Sequence, residues 1–271
     1  MSPKVVLVTG CSENGIGFYL AKEFASQGCK VYATARNIER MQALHHLQID
    51  LLPLDVIDDS AIKVVINTIM ANEGKIDIVV NNAGVGCYGP TLELPLEQVQ
   101  AAFDTNVFSV LRVNRAVFPH MAARKQGMFI TIGSVVADCT LPWGGIYAAT
   151  KSAVHSLTDA LEMECRPFNI KVLLVAPGSV RSNIAANQSY NPPPDTLYAK
   201  YTKKILARRD ISQSSPMPTD VFAKGVVTKA LAPSPPSYMS LGRNSMLFWF
   251  LTWFPRQWVL SFLWKWFGDI S

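Results

Sequence analysis

Val5-Val6-Leu7-Val8-Thr9-Gly10-Cys11-Ser12-Glu13-Asn14-Gly15-Ile16-Gly17 is the stretch on which the reading of this chain turns. Four apolar residues in a row, three of them β-branched, predict a strand buried on both faces, as in the middle of a parallel sheet. The glycines after it predict a tight turn into a helix over Phe18 to Gln27. Glycine at such a turn lets the backbone approach a pyrophosphate closely, and the helix N-terminus offers free N–H groups and a partial positive charge. Taken alone, the same turn also suits a strand-to-helix connection that binds nothing.

Further along, brief apolar runs recur at Lys30 to Ala35, Asp50 to Leu54, Ile76 to Val80, Gly127 to Ile132 and Lys171 to Val175. Stretches of helical length separate them, including Ser60 to Glu73, Leu96 to Met121 and Ala148 to Arg166. This alternation predicts an α/β fold with a doubly wound parallel sheet, the Rossmann arrangement, with right-handed crossovers. After Val175 the rhythm breaks into a proline-marked stretch, a basic helix over Tyr198 to Arg209, a second Pro/Ser-rich stretch and a helix over Thr219 to Leu231. The expected organisation is one domain over residues 1–235, with a substrate lid at about 183–218. Residues 236–271 would form a helical, aromatic-rich C-terminal extension that is not an independent domain.

Composition narrows the class. With 49% hydrophobic and 17% charged residues, the chain has ample apolar surface to offset its conformational entropy, which excludes a disordered protein. Cys11, Cys29, Cys87, Cys139 and Cys165 are odd in number, scattered and without a CxxC pair, so reduced thiols are expected and no metal site. Nothing before Val5 resembles a secretory signal, and a cytosol-facing, non-secreted protein is expected. The net charge of +5 is uneven: residues 1–198 sum to −2 and residues 199–271 to +7. No base-stacking module accompanies the basic excess, so nucleic acid is not expected as a partner.

The second strand ends in Ala33-Thr34-Ala35-Arg36, where a dinucleotide fold meets the adenosine ribose. An acidic residue there would bind the ribose 2′-hydroxyl, whereas arginine suits a 2′-phosphate through bidentate, charge-assisted bonds. Arg36 therefore favours NADP(H), with Glu13 as an opposing charge in the neighbouring loop.

Other motifs fall into order behind the glycine turn: Asp55, Asn81-Asn82-Ala83-Gly84, Asn106, Ser134, Tyr147-x-x-x-Lys151 and Pro177-Gly178. In these residues the chain resembles the short-chain dehydrogenase/reductase family over residues 5 to about 182. One departure is a glycine turn longer by one residue, with four residues between Gly10 and Gly15. The resemblance implies that Gly10, Ser12, Gly15, Ile16, Gly17 and Arg36 hold the NADP(H) phosphates. It places Asp55 and Val56 at the adenine and Asn82, Ala83 and Gly84 on the ribose side. Pro177, Gly178, Val180 and Ser182 would flank the nicotinamide, with Tyr147 and Lys151 also at the cofactor. It gives Asn106 the role of holding a water that relays protons to Lys151.

The chemistry of the set can be argued from the side chains themselves. Reducing a ketone with a nicotinamide requires a proton donor at the carbonyl oxygen, and a phenol is a weak acid at neutral pH unless its pKa falls. Lys151, one helical turn beyond Tyr147, would place an ammonium beside the phenol and stabilise the phenolate. Ser134, at a strand end, can hydrogen-bond the substrate oxygen as charge develops. Catalytic candidates are thus Asn106, Ser134, Tyr147 and Lys151.

Substrate choice is expected beyond the sixth strand and around Leu141-Pro142-Trp143, where Leu141 and Trp143 either form an apolar wall or simply pack in a loop. Lys200, Lys203, Lys204, Arg208 and Arg209 read as a solvated helix face; the alternative is contact with a substrate phosphate or an anionic membrane. The tail from Met246 to Phe267 holds five of the six tryptophans. Pro255-Arg256-Gln257 interrupts it well short of the roughly 20 apolar residues of a membrane span. Two short amphipathic helices around Pro255 are expected, either as an interfacial anchor, as a cap over the substrate cleft packed on their own domain or on a second subunit, or as both.

The glycine turn, the Tyr-Ala-Ala-Thr-Lys helix and the aromatic tail are similar to the 1-acyldihydroxyacetone-phosphate reductase branch, which lies near the 17β-hydroxysteroid dehydrogenases. The expectation is an NADPH-dependent reductase of a hydrophobic or lipid ketone. It would be homo-oligomeric, and peripheral on endoplasmic reticulum or lipid droplets through residues 246–267. Its rivals are a steroid- or retinoid-type dehydrogenase of the same fold, and a catalytically vestigial lipid-surface or nucleotide-sensing binding protein.

Overall fold

The structure, a computed structural model, describes residues 2–184, 190–208 and 210–269. Arg209 of the basic run and part of the expected lid therefore lie outside the described residues. Six strands stand where the apolar runs place them: β1 (Val5–Thr9), β2 (Lys30–Ala35), β3 (Asp50–Pro53), β4 (Ile78–Asn81), β5 (Gly127–Ile132) and β6 (Ile170–Pro177). A further strand, β7 (Tyr238–Leu241), completes a parallel sheet of order β3-β2-β1-β4-β5-β6-β7. It has no counterpart among the expected strands, being a four-residue edge strand behind Pro233, Pro235 and Pro236. The stretch expected as an appended extension thus begins by closing the sheet.

Nine helices are described: α1 (Ile16–Ser26), α2 (Asp59–Glu73), α3 (Leu96–Phe103), α4 (Ser109–Arg124), α5 (Gly145–Glu164), α6 (Thr202–Arg208), α7 (Thr219–Ala230), α8 (Ser245–Leu251) and α9 (Arg256–Leu263). Their local chemistry is conventional. In α2, Asp58 caps the N-terminus by accepting from the N–H groups of Ser60 (2.8 Å) and Ala61 (3.2 Å), and Gly74 ends the helix in the left-handed region. Its buried residues Ile62, Val65, Ile66 and Ile69 recur at helical spacing.

The strands divide two cores by their period of two. Val6 and Val8 of β1 face a core with Phe24 of α1 and Phe222 of α7, while Val5 and Leu7 face one with Ile66 of α2 and Val117 of α4. Every residue of β1 is buried, as its unbroken apolar run predicts.

Two features position the site. The chain winds from β1 out to β3 and returns to β4 on the other side of β1, which opens a crevice at their carboxyl ends. Thr9 and Asn82 fasten that crevice: the Thr9 hydroxyl accepts from the N–H of Asn82 at 3.0 Å, and the Asn82 amide donates to the carbonyls of Thr9 (2.9 Å) and Gly10 (3.0 Å). The long helix expected over Leu96 to Met121 is broken by a π-turn, Asp104–Phe108, between α3 and α4. Such turns widen a helix by one residue and recur at functional sites. This one carries Asn106.

Candidate active site

At the crevice lies a cleft of about 300 Å³. It gathers Gly10, Ser12, Gly15, Ile16, Arg36, Asp55, Val56, Asn82, Ala83, Gly84, Ser134, Leu141, Tyr147, Lys151, Pro177, Gly178, Val180 and Ser182 into one wall. Of the catalytic, cofactor and substrate-wall candidates, Gly17, Asn106 and Trp143 do not line it. Gly17 sits behind the turn, where a Cβ would come within 2.5 Å of the Asn82 amide and the Gly10 carbonyl oxygen. Trp143 packs among other rings instead, 5.6 Å from those of Tyr198 and Tyr201 and 5.8 Å from that of Trp264.

One end of the cleft is built for a close backbone approach. Gly10 adopts φ +73°, and a Cβ there would lie 2.8 Å from Ala83 Cα. At the start of α1 the capping residue is Gly15, so no side chain bonds the first N–H groups and no acidic residue occupies the first turn. Arg36 is exposed on this rim and pairs with no acidic side chain among the described residues. Glu13 is engaged through its backbone instead, its N–H donating to the Arg40 carbonyl at 2.7 Å and its carbonyl accepting from Asn183 at 2.6 Å.

The other end holds the polar set. Tyr147 and Lys151 are buried on α5, and the Lys151 ammonium donates to the Ile132 carbonyl at 2.8 Å, its Nζ 5.9 Å from the Tyr147 ring centre. Burial pulls the lysine down from 10.5 to about 8. For Tyr147 burial is also the largest influence: it pushes the phenol up, Tyr88 adds to the rise, and a hydrogen bond from Ser134 and the charge of Arg208 oppose it. Ser134 and Arg208 thus join Lys151, the group that sequence reasoning assigns, as candidates for easing the phenol's ionisation.

Asn106 acts one layer back. Its Oδ1 accepts from the N–H of Val85 at 2.8 Å, and its amide donates to the Val85 carbonyl (2.9 Å) and to the Thr150 hydroxyl (3.0 Å). Thr150 in turn donates to the Tyr147 carbonyl at 2.7 Å. Asn106 therefore ties the loop after β4 to the tyrosine helix, and both of its N–H donors are taken by protein.

Several lining residues carry no sequence signal of their own. Tyr88, Phe248 and Phe267 reach the cleft only through tertiary folding, the last two from the tail. His155 holds Ser134 from behind. Arg208, read from sequence as part of a solvated face, is 4% exposed and lines the cleft, while Lys200 and Lys203 are exposed. The tail caps the site: Leu251, Val259 and Leu263 are buried in the cluster that contains Tyr147 and Leu141. Along α9 and just beyond it, Val259 and Leu263 turn inward and Trp258 and Trp266 outward. No helix among the described residues is long and apolar enough to cross a membrane.

A nucleotide-type cleft at the switch point of a parallel sheet, with a Ser, Tyr and Lys at one end, defines a dehydrogenase-like α/β protein. Comparison with known proteins makes this specific. The family model for short chain dehydrogenase matches residues 4–192, and the chain belongs to that family of oxidoreductases. It is 38% identical over 231 residues to the short-chain dehydrogenase ptmH of Penicillium ochrochloron, covering 84% of each protein. It is 33% identical over 213 residues to the NADPH-dependent 1-acyldihydroxyacetone phosphate reductase of Schizosaccharomyces pombe, covering 76% of this chain and 72% of that protein. Among solved structures, a short-chain dehydrogenase from Streptomyces avermitilis superposes with a TM-score of 0.83 at 29% identity, over 98% of this chain and 96% of that one.

Proposed function

We propose that the chain is an NADPH-dependent reductase of a ketone carried on a hydrophobic, lipid-like substrate, with a 1-acyldihydroxyacetone phosphate as the leading candidate. The observation that carries this reading is that one cleft has Arg36 and the glycine turn at one end, Ser134, Tyr147 and Lys151 at the other, and an apolar cap over the second. The cradle fits the cofactor. A Cβ at Gly10 would fill it, the α1 N-terminus lacks a side-chain cap, and Arg36, with no acidic partner among the described residues, stands where a 2′-phosphate would lie.

When bound, NADPH supplies the hydride that reaches the carbonyl carbon. Tyr147 Oη gives its proton to the carbonyl oxygen, so that the ketone becomes an alcohol. Ser134 Oγ hydrogen-bonds the same oxygen and holds it in line. Lys151, anchored on the Ile132 carbonyl, keeps a positive charge near the phenolate that remains. Asn106 fixes the relative position of α5 and the Val85 loop.

The name of the fission-yeast relative points the same way as the cap, whose inner face of Leu251, Val259 and Leu263 suits an acyl chain. The outer face bears exposed Trp249, Phe250, Trp253, Trp258 and Trp266 beside exposed Arg256 and Lys265, which suits the interface of an endoplasmic-reticulum or lipid-droplet surface. The test is NADPH oxidation on adding an acyl ketone phosphate, followed by absorbance. Tyr147→Phe is expected to lower turnover by about 10²–10⁴-fold while NADPH still binds. Turnover of short water-soluble ketones only would sink the lipid reading, and an active Tyr147→Phe would refute the assigned acid.

A further inference from the structure

Arg208 is the one basic side chain of the 200–208 stretch that the fold buries. It ends α6, is 4% exposed, and its guanidinium lies over the Tyr88 ring, 5.2 Å from the centre. The Tyr88 ring is in turn 5.6 Å from that of Tyr147. On another side the guanidinium packs against Gly144, where a Cβ would come within 3.1 Å of it.

A buried guanidinium is costly unless an anion or a full set of acceptors compensates it, and arginine cannot escape by losing its proton. Among the described residues Arg208 has no such compensation. It forms no ion pair among the described residues, and its buried Nε has no hydrogen-bond partner. The aromatic face of Tyr88 offers only a cation–π contact. Burial accordingly depresses its pKa, opposed by the two tyrosines. An uncompensated cation in a cleft wall marks the place where a ligand brings the missing charge.

We infer that Arg208 is the receptor for an oxyanion on the substrate, a phosphate or carboxylate a few bonds from the carbonyl that Tyr147 serves. The inference rests on the reductase reading of the cleft and narrows its substrate to an anionic ketone. The position excludes the cofactor's 2′-phosphate as the anion, because Arg208 sits with Tyr88, Tyr147 and Gly144 while Arg36 marks the opposite end. The planar fork of arginine matches both phosphate and carboxylate oxygens. Phe248, Phe267 and Leu141 line the same cleft and supply apolar walls for the rest of the molecule.

The experiment measures binding, so that it does not depend on turnover. Octyl phosphate, octanoate and octan-1-ol are titrated into the full-length protein with NADP present, and heats are recorded. The wild type is expected to bind octyl phosphate at least tenfold more tightly than octan-1-ol. Arg208→Gln is expected to bring that ratio close to one, and Arg208→Lys to leave it in between, since an ammonium keeps the charge without the fork. Octanoate as tight as octyl phosphate identifies a carboxylate-accepting site, and weaker octanoate a phosphate site. A wild type without preference for the anions overturns the proposal, as does a preference retained in Arg208→Gln. If Arg208→Gln does not fold, an unchanged ratio in Arg208→Lys overturns it. Anion preference without NADPH oxidation on any ketone would leave this site standing and remove the reductase reading.

Discussion

The backbone N–H of Ser134 donates to Nε2 of His155 at 3.2 Å. Both residues are buried, and Gly133 lies so close to the imidazole that a Cβ there would sit 2.2 Å from Nε2. With Nε2 accepting, the ring proton is on Nδ1, on the side where Asp138 Oδ1 stands 3.7 Å away. The imidazole therefore fixes the strand end that presents Ser134 Oγ to the cleft. His155 does not line the cleft and acts as a positioning residue.

Replacing His155 by Leu removes the acceptor and leaves the Ser134 N–H buried and unpaired, which costs about 1–3 kcal/mol. Turnover is expected to fall about tenfold or more with NADPH affinity unchanged, because a misplaced hydroxyl weakens the hold on the carbonyl oxygen. Gln at this position, which can present an acceptor, is expected to recover part of kcat. A lowered Tm with unchanged kcat in His155→Leu would show that the contact supports the fold alone.

Lys151 makes stability depend on pH in a direction that can be worked out. Its pKa falls from 10.5 to about 8 on burial. Between those values the unfolded chain holds a proton that the folded chain has released, so stability rises with pH across this window. Below about pH 8 both states are protonated and the full cost of the buried charge, about 3 kcal/mol, is present. Denaturant titrations of the wild type and Lys151→Met from pH 7 to 10.5 should show the wild type gaining on the variant as pH climbs. A difference that stays flat across the window would mean that the lysine is not buried as a charge.

Legibility followed the range of the interactions. The strands of the core could be read because each is a local apolar run, and the Tyr147-x-x-x-Lys151 pair because one helical turn sets its spacing. The π-turn at Asp104–Phe108 was hidden, since Asn106 is drawn inward by the backbone of Val85, 21 residues away in sequence. Arg208 illustrates the same limit. Spacing alone groups it with Lys200, Lys203 and Lys204, and only the packing of α6 against Tyr88 and Gly144 separates the buried cation from its solvated neighbours. The tail was half legible: two helices broken at Pro255 follow from composition, whereas which aromatics turn inward depends on the cluster around Tyr147 that receives them.

Arg36 offers a test of cofactor choice that leaves the reacting end untouched. It stands exposed on the cleft rim with no acidic partner among the described residues, so its removal is expected to cost little stability. Arg36→Ala should weaken NADPH binding by about tenfold or more relative to NADH, since hydrogen bonds to charged groups contribute about 1.5–3 kcal/mol. Nicotinamide fluorescence titrations with both cofactors give the ratio directly. An unchanged ratio would place the 2′-phosphate elsewhere.

The C-terminal apolar residues divide into two sets whose substitutions should have opposite consequences. Leu263 is 2% exposed and shares a cluster with Tyr147 and Leu141, so Leu263→Ala removes a contact of the cap with the active-site wall. A loss of about 2–5 kcal/mol is expected, together with lower turnover, because the cavity opens beside the reacting groups. Trp253 and Trp266 are 68% and 66% exposed and contact mainly other rings of the outer ladder, Trp249 at 4.8 Å and Phe262 at 5.7 Å. Changing both to Ser should shift stability by less than about 1 kcal/mol, as surface substitutions usually do. Their effect should appear instead in sedimentation with vesicles containing anionic lipid, where the wild type is retained and the double variant is released. Retention of both proteins would assign the outer tryptophans another partner, and release of both would leave the tail as a cap over the cleft alone.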